Sequence, residues 1–381
     1  MTEVCKMPAL EGGKRLDPKQ DPSRRCLKLA DWPVEDRAAW EAAVTKGGLL
    51  DEGGAAAHWR PATRKSGQDA YGRWLTFLER NGWLEPDATP GERLTPDRLR
   101  AFIAELQATV APMTVRNRIR DLAEALRVMA PEADLPYLRR VRARLKARAK
   151  PLRSKRAQTL PSRDLVRLGK DLMERAERGE AARPLWQAAM FRDGLMILML
   201  ACRPLRRRSF AGLRLEQHLV KRGDTYVLLL EEHETKNHRR FEQPLPAALT
   251  PLIERYLAHY RPMLLGDGAA RRAGKENEDH LWISWRGERL AETGVYFALT
   301  GRTRAAFGIA IPPHRFRDSA VTSLGETDPE LVWLAPTILH HADRRIAEAH
   351  YDQARDTRAV NLWQEHVQAE RRRIPDEKIH R

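Results

Sequence analysis

Between Arg139 and Arg156 the chain reads RRVRARLKARAKPLRSKR, ten lysines and arginines without an acid, broken once by Pro151. Charge at that density stays in water, so the run divides the chain instead of joining a core. A chain of 381 residues holds about two or three domains at roughly 150 residues each. The run has two readings. One is a solvated helix end followed by a linker; the other is a basic strap that follows a phosphate backbone and joins two domains around it. Its position between two globular stretches favours the strap, with Arg139, Arg140, Arg142, Arg144, Lys146, Arg148, Lys150, Arg153, Lys155 and Arg156 as candidate DNA contacts.

The whole chain has the same sign, with 68 Lys+Arg against 52 Asp+Glu and a net charge of +16. Nucleic acid is the commonest polyanionic partner of a soluble basic protein. With 42% hydrophobic residues, wholesale disorder is excluded. Cys5, Cys26 and Cys202 form neither a disulfide framework nor a metal-ligand spacing, which points to a reducing compartment. The N-terminus lacks the apolar stretch of a signal peptide, and the strongest apolar run, 194–202, is too short to span a membrane. The expectation is a cytoplasmic, nucleoid-associated protein with no membrane partner.

Periodicity gives the elements. Residues 1–55 mix Gly, Pro and charge, with one short amphipathic patch from Trp32 to Val44, and read as an N-terminal tail or arm that is partly disordered. Tyr71, Trp74, Leu75 and Leu78 fall on one helical face. Thr95, Pro96 and Asp97 write the start of a second helix, with Leu99, Phe102, Ile103 and Leu106 facing inward. A third begins after Thr114 and ends before Pro131. Residues 56–150 are thus expected to be a small helical domain, 151–160 a basic linker, 161–370 a second domain and 371–381 a charged tail. Within the second domain, helices from Ser162 and over 185–202 precede a strand at 225–230, a polar turn at 234–240 and a returning strand at 241–245. A helix at 249–260, a short strand at 281–285 and a helical remainder follow. The fold class is mainly α with a small antiparallel β-sheet.

Basic residues recur at the ends and turns of these elements. Arg206 lies in RPLRRRSFAGL after the apolar helix, Lys236 in ETKNHRRFEQPLP at the hairpin tip, His314 and Arg317 in HRFR, and His341 and Tyr351 in LHHADRRIAEAHYD. Each fragment alone is weak, and Arg239 or Arg240 could compete with Lys236. In their order and spacing they resemble the tyrosine recombinase, or phage-type integrase, family over roughly residues 56–370. That resemblance matches Arg206 and Leu213 to the family's arginine motif, Lys236 to the β-hairpin lysine, His314 and Arg317 to the H-x-x-R box, and Leu339, His341 and Tyr351 to the L-G-H box and its tyrosine. Ser209 replaces an acidic residue common in the family, and His340 replaces the glycine of L-G-H. His341 is taken as the functional histidine because it stands ten residues before Tyr351.

The resemblance implies a helical core-binding (SAM-like) domain followed by a mixed α+β catalytic domain. It implies a site-specific recombinase/integrase that cleaves DNA through a 3′-phosphotyrosyl intermediate, with no cofactor, metal or ATP. The expected partners are double-stranded DNA, a homotetramer on two sites and an accessory bending or excision factor. Two other readings stand beside it: a non-catalytic architectural relative, and a type IB topoisomerase or telomere resolvase. The chemistry suits the residues. A phosphodiester under attack develops negative charge, which the planar forks of Arg206 and Arg317 match. Tyrosine, with an ordinary pKa of about 10, needs a positive site to act as nucleophile. His314 reads as proton acceptor or phosphate donor, His341 as a second donor, and Lys236 as the acid that protonates the leaving 5′-oxygen.

Overall fold

The computed structural model of the protein describes residues 25–48, 52–150, 159–235, 238–266 and 279–327, together with Leu334. The chain divides into two compact units between Arg153 and Ser154.

In the N-terminal unit the apolar stripes seen in the sequence become a helical core. Tyr71, Trp74, Leu75 and Leu78 of α2 (Pro61–Arg80) are fully buried. Helix α3 (Pro90–Arg93) opens on a capping box between Thr89 and Glu92. Helix α4 (Pro96–Thr109) starts as expected, with the Thr95 hydroxyl accepting the Arg98 N–H at 3.3 Å and Pro96 in its first turn. This arrangement satisfies an otherwise orphaned helix donor. Helix α5 (Pro112–Met129) buries Val115, Ile119, Leu122, Leu126 and Met129 against α2 and α4.

The expected tail over 1–55 does not describe residues 25–48. Helix α1 (Val34–Val44) packs into the same core through Trp40 and Ala43, with Trp32 edge-on to Trp40 and tilted against Tyr71 at centroid distances of 6.0 and 5.0 Å. The physical reason is a buried ion pair that no sequence window contains. Asp36 and Arg93 are both 0% exposed; the Arg93 Nε donates to the two carboxylate oxygens at 3.1 and 3.0 Å, and the Tyr71 hydroxyl donates to the same carboxylate. Gly72 allows the segment around Leu27 to approach, since a Cβ there would lie 2.3 Å from the Leu27 carbonyl oxygen.

The basic run also takes a definite form. Its first ten residues, 139–148, belong to α6 (Pro136–Arg148), which buries Leu138 and bonds Arg142 to Glu124 of α5 at 2.8 Å and Arg139 to Asp134 at 2.6 Å. That stretch is helical, with most of its basic side chains exposed; Arg153, Lys155 and Arg156 lie outside the described residues.

The C-terminal unit is built on α7 (Ser162–Glu177) packed against α8 (Pro184–Cys202). Gly169 and Gly194 make the crossing possible, because a Cβ on either would stand within 3 Å of the other's carbonyl oxygen. Helix α8 is long and apolar enough to cross a membrane by length and composition, yet 67% of its apolar window is buried within the protein. Its charged pair, Arg192 and Asp193, is buried too: Asp193 accepts from Arg192 at 2.7 Å and from Arg302 at 3.0 Å, and Arg192 donates to the Ile283 carbonyl. A short α9 (Arg207–Ala211) leads into an antiparallel meander of β1 (Leu219–Arg222), β2 (Thr225–Leu230) and β3 (Phe241–Pro244), with β2 central and Leu228 paired to Leu219 and Gln243. Helix α10 (Thr250–Arg255) runs through a π-turn at Tyr256–Tyr260 into α11 (Arg261–Leu265). The strand expected at 281–285 is only a pair of isolated bridges, Arg214 to His280 and Ile283 to Arg289. Trp282 and Ile283 are apolar because they are core, not because they extend a sheet. Helices α12 (Glu292–Phe307) and α13 (Arg315–Thr327) close the described part.

Candidate active site

Arg206 caps α9 at its N-terminal end, in extended conformation, one residue after the buried Leu205. The short helix behind it is fixed by burial of Phe210 and by the Trp282 indole N–H donating to the Phe210 carbonyl at 3.0 Å. Leu213, the residue that gave the motif its register, is fully buried. The Arg206 backbone is therefore held from two sides while its side chain stays half-buried at the surface.

Arg317 arrives from the first turn of α13, between the buried Phe316 and Ser319. Its Nη1 donates to the Pro204 carbonyl at 2.6 Å, which places its guanidinium beside the segment carrying Arg206. Burial, and then the positive charge of Arg206, push the Arg317 pKa down to about 10, against a smaller opposing pull from Asp318. Burial lowers Arg206 as well. Asp318 is itself bonded to Arg315 at 2.6 Å. Among the described residues no carboxylate pairs with Arg206, and the hydroxyl of Ser209 does not bond to it. Two like charges thus share one partly desolvated corner, which disfavours the charged form of Arg317.

His314 lies exposed three residues before Arg317, in the loop that follows Pro312 and Pro313. Lys236 belongs to the turn joining β2 to β3 and lies outside the described residues, although Thr235 and His238 on either side are placed. His341 and Tyr351 lie outside them too. The structure therefore brings together Arg206 and Arg317, with His314 on the same element end. Arg139, Arg140, Arg142, Arg144, Lys146 and Arg148 are on α6, followed by Lys150, all in the other unit. Among the described residues no group of three His, Cys, Asp or Glu side chains is arranged to hold a metal ion.

One pair escaped the sequence reading. His218 and Glu234 meet at 2.8 Å beneath the β2–β3 turn. His218 stands in no motif, Glu234 only opens the hairpin fragment ETKNHRRFEQPLP with no role of its own there, and the return of β2 along β1 brings the two into reach.

No family model and no curated protein sequence matches the chain. Solved structures do. The XerH site-specific recombinase bound to a palindromic difH substrate, in a post-cleavage complex, aligns with a TM-score of 0.53 at 12% identity over 89% of this chain and 100% of that one. The same recombinase in its pre-cleavage complex with difH aligns with a TM-score of 0.51 at 14% identity over 79% and 80%. At such identities the likeness is one of fold. A mostly helical chain carrying a three-stranded antiparallel sheet thus shares the fold of these site-specific recombinases.

Proposed function

We propose that the chain is a site-specific DNA recombinase or integrase that cuts and rejoins duplex DNA through a 3′-phosphotyrosyl intermediate. The observation that carries this reading is the Arg206–Arg317 corner, where Arg317 donates to the Pro204 carbonyl and the charge of Arg206 is near enough to lower the Arg317 pKa. A scissile phosphate placed there meets two planar donors for its non-bridging oxygens, and these interactions strengthen as the phosphorane charge develops.

Tyr351 is the nucleophile. Its oxygen bonds to phosphorus as the bond to the 5′-oxygen breaks, with His314 and His341 giving hydrogen bonds to the phosphate or taking the tyrosine proton. The Lys236 ammonium gives a proton to the departing 5′-oxygen, leaving a neutral amine and a 5′-hydroxyl. The phosphotyrosyl bond conserves the energy of the broken phosphodiester, so religation to a partner strand draws on no ATP. The basic face of α6 grips the backbone, and two DNA sites are held by four copies of the chain acting in the cytoplasm.

The test begins by recovering a binding site from a pool of randomised duplexes, then building a nicked suicide duplex on it. After incubation and denaturing electrophoresis, a covalent protein–DNA band is expected with the unaltered chain and none with Tyr351→Phe. Equal bands for the two would remove Tyr351 from the role. Tight binding with no band for either would replace the recombinase with an architectural DNA-binding protein.

A further inference from the structure

His218, only 5% exposed, uses both ring nitrogens. Nδ1 accepts the Arg214 backbone N–H at 3.0 Å, and Nε2 lies 2.8 Å from Oε1 of Glu234. A ring nitrogen that accepts carries no proton, so the hydrogen is on Nε2 and His218 donates to the carboxylate. The second oxygen of Glu234 accepts the Glu231 N–H at 2.9 Å. Partial burial works against the charged carboxylate, but the hydrogen bonds from Glu231 and His218 outweigh it and hold Glu234 below the ordinary glutamate range. Next along the chain, the nearly buried Thr235 hydroxyl accepts the Arg239 N–H at 3.1 Å and donates to the Arg239 carbonyl at 2.8 Å. The two ends of the β2–β3 turn are thereby pinned to each other, and Glu234 pins them to the loop that follows α9.

The charge at position 234 has a further sense. A glutamate two residues before Lys236 is a natural ion-pair partner for it, yet this one is already committed to two other donors. It supports the turn through both of its oxygens.

We infer that Glu234, oriented by His218, is a positioning residue that sets where the β2–β3 turn delivers Lys236 to the 5′-oxygen of the scissile phosphate. The inference rests on the recombinase reading and on Lys236 as the proton donor. It predicts a defect confined to leaving-group protonation.

Two suicide duplexes separate that defect from a general loss of structure. One carries the ordinary phosphodiester, the other a sulfur in place of the bridging 5′-oxygen. A thiol, with an ordinary pKa near 8.5, leaves as the thiolate without a proton donor. On the oxygen duplex, Glu234→Ala and His218→Gln in the full chain are expected to form covalent adduct at least tenfold more slowly than the unaltered chain, as is Lys236→Ala. On the sulfur duplex all three recover to within a few-fold of it. Glu234→Gln keeps an acceptor for His218 and the side-chain volume; it shows a smaller loss with the same recovery, and it decides the matter if Glu234→Ala does not fold. Equal loss on both duplexes, no loss on either, or an unimpaired Lys236→Ala overturns the positioning role while the recombinase reading stands. Absence of adduct from the unaltered chain on both duplexes overturns the recombinase reading and this one with it.

Discussion

Arg206 is placed so that its charge makes Arg317 harder to keep charged, and burial acts on both. The Arg317 pKa of about 10 records burial first and the neighbouring Arg206 second. Removing Arg206 therefore has two effects of opposite sign. Arg206→Gln is expected to abolish covalent attachment to DNA and also to make the DNA-free protein more stable, by about 1 kcal/mol once solvent screening of the half-exposed side chain is allowed for. Equilibrium urea unfolding measures the second effect, and sulfate should stabilise the unaltered chain more than the variant. A variant less stable than the parent would mean that Arg206 is held by attractive contacts. At this scale spacing alone singled out Arg206 with Leu213 and His314 with Arg317, and Arg206 and Arg317 do meet in the structure. The sequence was silent on His218 and Glu234, one histidine among 12 and one acid among 52, because their meaning depends on a strand register and not on spacing.

Helices with one apolar stripe were legible, and α2, α4 and α5 begin and bury their faces much as the 3.6-residue period requires. Helix α1 was not read as part of that core because its segment mixes Gly, Pro and charge, and its decisive interaction joins residues 57 positions apart, Asp36 and Arg93. Breaking a fully buried pair by removing one partner leaves an uncompensated charge. Asp36→Ala is therefore expected to cost the N-terminal unit about 3 to 5 kcal/mol. The paired change Asp36→Leu with Arg93→Met should recover a large part of that, because both charges then leave together. Denaturant unfolding of the single and double variants checks this; a loss below about 1 kcal/mol in Asp36→Ala would show that the aromatic packing alone holds α1. The apolar stretch at 281–285 misled in the opposite way, since a short buried run reads the same whether or not it pairs as a strand.

On the scale of the whole molecule, the proposed function divides the +16 net charge into grip and chemistry. Among the described residues, Arg140, Arg144, Lys146 and Arg148 of α6 have no carboxylate partner, whereas Arg139 and Arg142 do. Each phosphate neutralised contributes about 0.9 to the slope of log affinity against log salt. Changing the four unpaired residues to Gln should flatten that slope by about 3 to 4, and changing Arg139 and Arg142 by less than about 1. Salt titration of duplex binding distinguishes the two sets; equal effects would mean that the paired arginines leave their acids when DNA arrives.

Helix α8 carries a consequence for how any of these stabilities is read. It is a 19-residue segment with a mean hydropathy of 1.3 over its most apolar window, safe only while α7 and its neighbours cover it. Once heat opens the C-terminal unit, that segment is a sticky rod that meets other copies faster than it finds its own groove. Thermal denaturation would then end in precipitate, its midpoint would follow the heating rate, and the lifetime of the protein would be set by how seldom α8 is uncovered.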